Sequence, residues 1–184
     1  MLPGMQLKLF ECNDPPRPKL HSEEVLEMTV DKLMPLVMKW YGNTSEDESE
    51  IRENVKSAIE FDDDGYEIVR TLENSYYWDA DRSLIDVMDE VSHLRRLSHD
   101  YYVEKWVLNN GVMPKHQLGE VVSFKQKGKL YSGTITKILE KDAQYLVNCP
   151  DLGHVKSGVG THGTYLLYED VTPLNKTEKD SIVS

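Results

Sequence analysis

Cysteine is scarce: Cys12 and Cys149 are the chain's 2 thiols, too few for the disulfide framework that staples small secreted domains. No stretch approaches the roughly 20 apolar residues that span a bilayer, so a membrane protein is not expected. The opening MLPGMQLKLFECNDPPRPKL has no apolar run before its prolines to act as a secretory signal. A cytoplasmic protein is the expectation, and the sequons at Asn43 and Asn175 then carry no meaning. Arginine is absent from residues 110–184, which deprives that half of the bidentate fork that reads guanine edges. No complete catalytic motif occurs, so the chain is expected not to be an enzyme.

What the chain has in quantity is carboxylate. Its 32 Asp plus Glu outnumber 21 Lys plus Arg, for a formal net charge of −11. Residues 21–107 hold 22 acidic against 9 basic side chains, whereas residues 110–184 hold 8 against 9. A chain of 184 residues that is 39% apolar can bury one ordinary core or two small ones, so the acidity belongs to one half of a folded protein. Charge of this sign repels nucleic acid and anionic membranes at long range.

Hydrophobic periodicity divides the chain. Residues 1–21 read as an arm or linker, with a short strand around Gln6 to Phe10 before the prolines of NDPPRP break regular structure. Residues 22–112 read as an acidic helical domain. Ser22 offers an N-cap, and Val25, Met28, Leu33, Leu36, Val37 and Trp40 recur at three- and four-residue steps, with Pro35 expected to kink the helix or start a second turn. A second helix starts at SEDE, where Ser45 and Glu48 have capping-box spacing, and carries Ile51, Val55 and Ile59. A third follows DDDG with Ile68, Val69 and Leu72 inward. The longest is predicted from about Asp81 to Leu108, some 40 Å at 1.5 Å per residue, with Leu84, Val87, Met88, Val91 and Leu94 as its stripe and Gly111 and Pro114 as its stop.

Beyond Pro114 the pattern changes. LGEVVSF, LYSGTITKIL, QYLVNC and TYLLYEDVTPL are short, rich in β-branched and aromatic residues, and separated by Gly, Lys, Asp and Pro. They predict a small barrel over residues 113–174, followed by a flexible tail at 175–184. The expected fold class is α+β: an acidic helical bundle, then a small SH3-like β-barrel. The succession GEVVSF, YSGTITKI, YLVNCPDLGHV, LLYEDVTPL resembles Tudor-like and KOW-like SH3 barrels, and the resemblance implies docking of peptides or nucleic acid on strand faces and loops. Leu152 stands where the methyl-lysine readers favour an aromatic beside the Asp, which leaves Phe124, Tyr131 and Tyr145 as barrel core or rim. From Asp64 onward the chain also resembles small uncharacterised proteins of phages and mobile elements.

Several partial motifs fail on context. Glu60, Asp62, Asp64 and Gly65 match positions 1, 3, 5 and 6 of a calcium-binding EF-hand loop, but Thr71 stands where a bidentate Glu belongs. The favoured alternative is that Asp62, Asp63 or Asp64 caps the next helix. GVGTHG, with Gly158, Gly160 and Gly163, has the letters of a dinucleotide fingerprint, but strand follows it where a helix is needed; a flexible loop between barrel strands is expected. Cys149, His154 and His162 do not have zinc-site spacing. Ser98, His99 and Asp100 are consecutive on a helix and point in different directions, so they cannot form a hydrolase triad; an exposed helix surface is expected there. His93 and His116 have no evident partner. Neither a metal nor a cofactor is expected.

Two surfaces remain. Glu46, Asp47, Glu48, Glu50, Glu53, Asp62, Asp63, Asp64, Asp86, Asp89, Glu90, Asp100 and Glu104 could form a continuous negative face that stands in for the phosphates of DNA and binds a basic, nucleic-acid-binding protein. In acidity and helical content this half is similar to phage anti-restriction proteins of the Ocr type. Tyr66, Tyr76, Tyr77, Trp78, Tyr101 and Tyr102 could anchor such an interface, although most are expected to be core. The alternative is a nucleic-acid-associated adaptor that uses Lys125, Lys127, Lys129 and Tyr131 of the barrel, with backbone-directed, salt-sensitive contacts. A homodimer is compatible with either.

Overall fold

The computed structural model describes residues 15–42, 47–60, 63–153, 156–157, 160–161 and 163–174. The strand expected around Gln6 to Phe10 and the tail at 175–184 lie outside them. The fold is α+β: helices α1 (Glu23–Tyr41), α2 (Glu48–Ala58), α3 (Gly65–Tyr76), α4 (Arg82–Met88) and α5 (Glu90–Asn110) precede strands β1 (Val121–Gln126), β2 (Lys129–Leu139), β3 (Gln144–Asn148), β4 (Lys156–Ser157), β5 (Gly160–Thr161), β6 (Thr164–Leu167) and β7 (Val171–Pro173). The chain divides into two compact units, Pro18–Tyr102 and Met1–Arg17 with Val103–Ser184. The division falls inside α5, earlier than the composition change at residue 112 suggests, and Arg17 groups with the sheet unit. Among the described residues no helix is long and apolar enough to cross a membrane.

In the helical unit, α1 buries Val25, Thr29, Val30, Leu33, Met34 and Val37. Leu36, expected on that stripe, is exposed, although it shares the helix direction of the buried Val25 and Thr29 two to three turns earlier. Pro35 lies within a continuous helix; it is on the water side, where solvent can satisfy the carbonyl its missing N–H leaves. Asp47, and not Ser45, caps α2: its carboxylate accepts from the Ser49 N–H at 2.9 Å, and Ser45 lies outside the described residues. The core is completed by Ile51, Val55, Ile59, Ile68, Val69, Leu72, Leu84, Met88 and Val91.

A row of ions closes the seam between α1 and α2. Arg52 reaches Asp31 at 2.8 Å and also bonds Glu27, while Lys56 bonds Glu23 and Glu27. Hydrogen bonds from Lys56 and then Arg52 hold the Glu27 carboxyl below its ordinary range. A carboxyl depressed on folding contributes stability that is fully present above its unfolded pKa and is lost as pH falls through the lower folded value. Glu27→Gln should therefore weaken the helical unit by about 1 kcal/mol at most at neutral pH, as half-exposed pairs do. The deficit should vanish in acid, which urea unfolding at pH 7 and pH 3 would check; an equal deficit at both would locate the effect in packing.

The single long fourth helix expected from Asp81 to Leu108 is two helices, interrupted at Asp89. The cause lies in α3. Asp64 caps that helix, accepting from the Glu67 N–H at 3.0 Å, while the Glu67 carboxylate returns to the Asp64 N–H. The next open donor, the Gly65 N–H, is taken by Asp89 Oδ1 at 3.0 Å. A Cβ on Gly65 would sit 2.7 Å from both the Ile85 carbonyl oxygen and the Asp89 nitrogen. The start of α3 thus lies against the α4–α5 backbone, and Asp89 serves it.

In the sheet unit, five antiparallel strands curl in the order β6-β3-β2-β1-β7. The β1–β2 hairpin turns through Lys127 and Gly128, at φ 49° and 77°, the left-handed pair that a two-residue connection needs. The register of β2 on β3 slips between Ile135 and Lys137, a bulge that increases local twist. Val122, Phe124, Ile135, Tyr145, Val147, Tyr168 and Val171 form the core with Val103, Trp106 and Val107 of α5 and with Val112 beyond it. β4 and β5 make a separate two-residue ribbon, so that Gly160 and Thr161 of GVGTHG, expected in a loop, are paired as strand; Gly158 and His162 lie outside the described residues.

Candidate functional site

The acidic residues gather mainly at helix N-termini, for a local reason. Carboxylates near the first turn satisfy open N–H groups and face the positive end of the helix dipole. Asp47, Glu48 and Glu50 surround the start of α2, with Glu53 one turn on, and all four are exposed. Asp63, Asp64 and Asp89 meet at the start of α3, and Asp86 and Glu90 flank Asp89 in sequence. Asp100 lies about 15 Å along α5 from Glu90 at 1.5 Å per residue, and Glu104 falls in the sheet unit, where Lys141 holds it at 3.0 Å. Glu46 and Asp62 lie outside the described residues. The single face expected is thus resolved into two foci at the starts of α2 and α3, with Asp100 and Glu104 apart from them.

Three cations of the helical unit are engaged within it. Arg52 and Lys56 face α1, and Arg95, buried, donates to the Glu60 carbonyl at 3.1 Å. Arg52 approaches Glu53 only at 3.5 Å. Among the described residues, Asp47, Glu48, Glu50, Asp86 and Glu90 have no cation within ion-pair distance.

The aromatic residues depart from expectation. Of the six named as candidate anchors only Trp78 is buried; Tyr77 is 89% exposed, and Tyr66 and Tyr101 are also exposed. Tyr77 ends α3 in the left-handed conformation, at φ 60°, and Trp78 N–H then closes on the Leu72 carbonyl at 3.3 Å. This reversal sends Tyr77 outward and Trp78 inward. Trp78 meets Trp40 in parallel at 6.1 Å and Tyr41 edge-on at 5.2 Å. The three rings, with Asp79 and Asp81, line a cavity of about 350 Å³.

The partial motifs resolve as follows. Asp64 and Gly65 belong to a helix start, not to a calcium loop. No group of His, Cys, Asp and Glu among the described residues could hold a metal; Cys149 is buried in the sheet core, and Cys12, His154 and His162 lie outside the described residues. Ser98 is fully buried, against the expectation of an exposed surface, while Asp100 faces water with its Oδ1 3.7 Å from His99 Nδ1; His99 Nε2 lies 3.2 Å from the Pro18 carbonyl oxygen, so the histidine does not serve Ser98 and no triad forms. His116 has partners that the sequence did not reveal: its backbone N–H donates to the Tyr145 hydroxyl at 3.0 Å and its Nδ1 lies 2.8 Å from Glu120 Oε1. The Gln117 N–H and then His116 hold the Glu120 carboxyl below its ordinary range. The i, i+4 spacing of His116 and Glu120 was the one available signal.

The lysine hairpin is less coherent than its sequence. Lys125 pairs across from Leu130, and Lys129 from Gln126; with side chains alternating along each strand, Lys125 and Lys129 leave opposite faces of the ribbon, and Lys127 occupies the turn. Tyr131 stacks on Phe124 at 5.9 Å, and Phe124 and Tyr145 are buried in the core. No protein-family model matches this sequence, and comparison with curated proteins and with solved structures gives no significant match.

Proposed function

We propose that this is a non-enzymatic, cytoplasmic binding protein whose acidic helical unit occupies the basic groove of a nucleic-acid-handling protein, inhibiting it by standing in for DNA, as a phage or mobile element would use against a host defence nuclease. One observation carries the reading: Arg52 and Lys56 are held by acids of α1, while Asp47, Glu48 and Glu50 at the start of the same helix face water with no cation within ion-pair distance among the described residues. Uncompensated carboxylates of this kind raise the association rate with a cationic cleft and make binding salt-dependent. Exposed Tyr66 and Tyr77 add amphipathic contact area of the type found at interface centres.

We also infer that the curled sheet is an SH3-like barrel. Three successive strands form a meander, and β7 returns beside β1 after a single 3₁₀ turn over Tyr168–Asp170.

The test is displacement. Basic proteins from the source cell are loaded on DNA–cellulose and the purified chain is passed over them at low salt. It should release a defined DNA-binding protein, with release falling as salt rises, and the triple variant Glu48→Lys, Glu50→Lys, Glu53→Lys should release at least about tenfold less. Equal release by the variant would remove the acidic surface from the account, and retention of the chain on DNA alone would favour the adaptor reading through the lysine hairpin.

A further inference from the structure

We propose that the cavity lined by Trp40, Tyr41, Trp78, Asp79 and Asp81 receives an arginine side chain of the basic partner, an inference that rests on the docking role above and assigns its anchoring point. The cavity sits where the end of α1 meets the connection from α3 to α4. Its walls combine what a guanidinium uses: flat indole faces on which it can stack and carboxylates that its fork can grip. At about 350 Å³ it lies within the range of single-ligand pockets.

The geometry is prepared in advance. Asp81 Oδ1 accepts from Trp40 Nε1 at 3.0 Å, from the Ser83 N–H at 2.9 Å and from the Leu84 N–H at 3.2 Å. This fixes the Trp40 ring while the same carboxylate caps α4. The Ser83 hydroxyl and then Trp40 keep Asp81 ionised below its ordinary range. Asp79 is exposed, with no bond inside the described structure, and supplies a second carboxylate.

The chain has 3 tryptophans, and the third, Trp106, donates its indole N–H to the Pro15 carbonyl in the sheet unit, so it is an internal control. Titration of the ¹⁵N-labelled protein with N-acetyl-arginine amide should move the Trp40 and Trp78 indole signals and leave Trp106 still. N-acetyl-lysine amide should bind more weakly and N-acetyl-citrulline amide, uncharged, should not bind. Asp79→Asn, which removes no internal bond, should weaken the arginine response roughly fivefold. Absence of shifts, equal shifts at Trp106, or an equal response to lysine or citrulline would overturn the assignment. The two readings are separable: if Asp79→Asn loses arginine amide yet releases the DNA–cellulose protein as well as the native chain does, the pocket is not the anchor and the acidic docking surface stands.

Discussion

Gly65→Ala is expected to destabilise the helical unit by about 3 kcal/mol, lowering its midpoint by roughly 10–20 °C. Intrinsic propensity predicts the opposite sign, because Ala exceeds Gly in a helix by up to about 1 kcal/mol. Packing decides: the added methyl would lie 2.3 Å from Asp89 Oδ1 and 2.7 Å from two backbone atoms, Ile85 O and Asp89 N. The carboxylate can rotate away, but only by abandoning the Gly65 N–H; the backbone atoms move only if α3 and the α4–α5 turn separate. Adding Asp89→Ala to Gly65→Ala should therefore recover little. Urea unfolding followed by fluorescence would measure both, with Trp40 and Trp78 reporting on this unit. A midpoint equal to or above the native one would mean that the close approach is not maintained in solution.

The same glycine illustrates what the sequence could convey. EFDDDG reads as a run of ligands because oxygen-bearing residues alternate ahead of a glycine. The capping alternative was legible too, since Asp64 and Glu67 have the reciprocal spacing that closes a helix start. The destination of Asp89 was not legible. Its partner is 24 residues away, and the apolar stripe from Leu84 to Leu94 runs on as though the helix were unbroken. Periodicity reports which side faces the core, and a one-residue interruption that preserves the side leaves no trace in it. The strands were easier to locate, because short β-branched and aromatic runs such as VVSF and ITKI stand between turn residues; their faces were less so, since Ser123 is buried beside Val122 and Phe124 and a bulge falls between Ile135 and Lys137.

The candidate site was legible as composition but not as placement. Counting charges locates the acidity in the helical half; it cannot say that Arg52 and Lys56 turn toward α1, because i, i+4 spacing fits acids on either side of α2. Nor could it separate Tyr77 from Trp78. Adjacent aromatics on a helix differ by about 100° and both read as core, whereas here the helix ends between them and the left-handed turn sends one out and one in. The lysine hairpin is a further case, since Lys125, Lys127 and Lys129 read as one patch along the sequence, while the pleat places Lys125 and Lys129 on opposite faces.

Arg17→Ala should destabilise the sheet unit by about 3 kcal/mol, as removal of one partner from a buried ion pair does. Arg17 comes from a segment that reads as a linker, yet its side chain is only 11% exposed. Nε meets Glu169 Oε1 at 2.8 Å, Nη1 donates to the Asp142 carbonyl at 2.9 Å and Nη2 to the Ala143 carbonyl at 2.8 Å, while the guanidinium lies 5.1 Å from the centre of the Trp106 ring. The two carbonyls belong to the β2–β3 turn, where Ala143 is buried at φ 46°, a conformation that L residues adopt at a cost, so the arginine clamps a turn that would otherwise relax. Arg17→Lys keeps the charge but cannot span three acceptors, and should recover less than half of the loss. The pH dependence identifies the charge contribution. Burial, and then Glu169, push the Asp170 carboxyl up, and Arg17 opposes that; without the guanidinium, ionised Glu169 and Asp170 face each other unrelieved. A carboxyl raised on folding favours the folded state when protonated, so stability falls as pH rises through its pKa. The difference between Arg17→Ala and the native chain should accordingly be largest at neutral pH and shrink as pH falls through the raised range of the Asp170 carboxyl. Unfolding followed at the Trp106 indole resonance would test this, and a loss independent of pH would assign Arg17 a packing role alone.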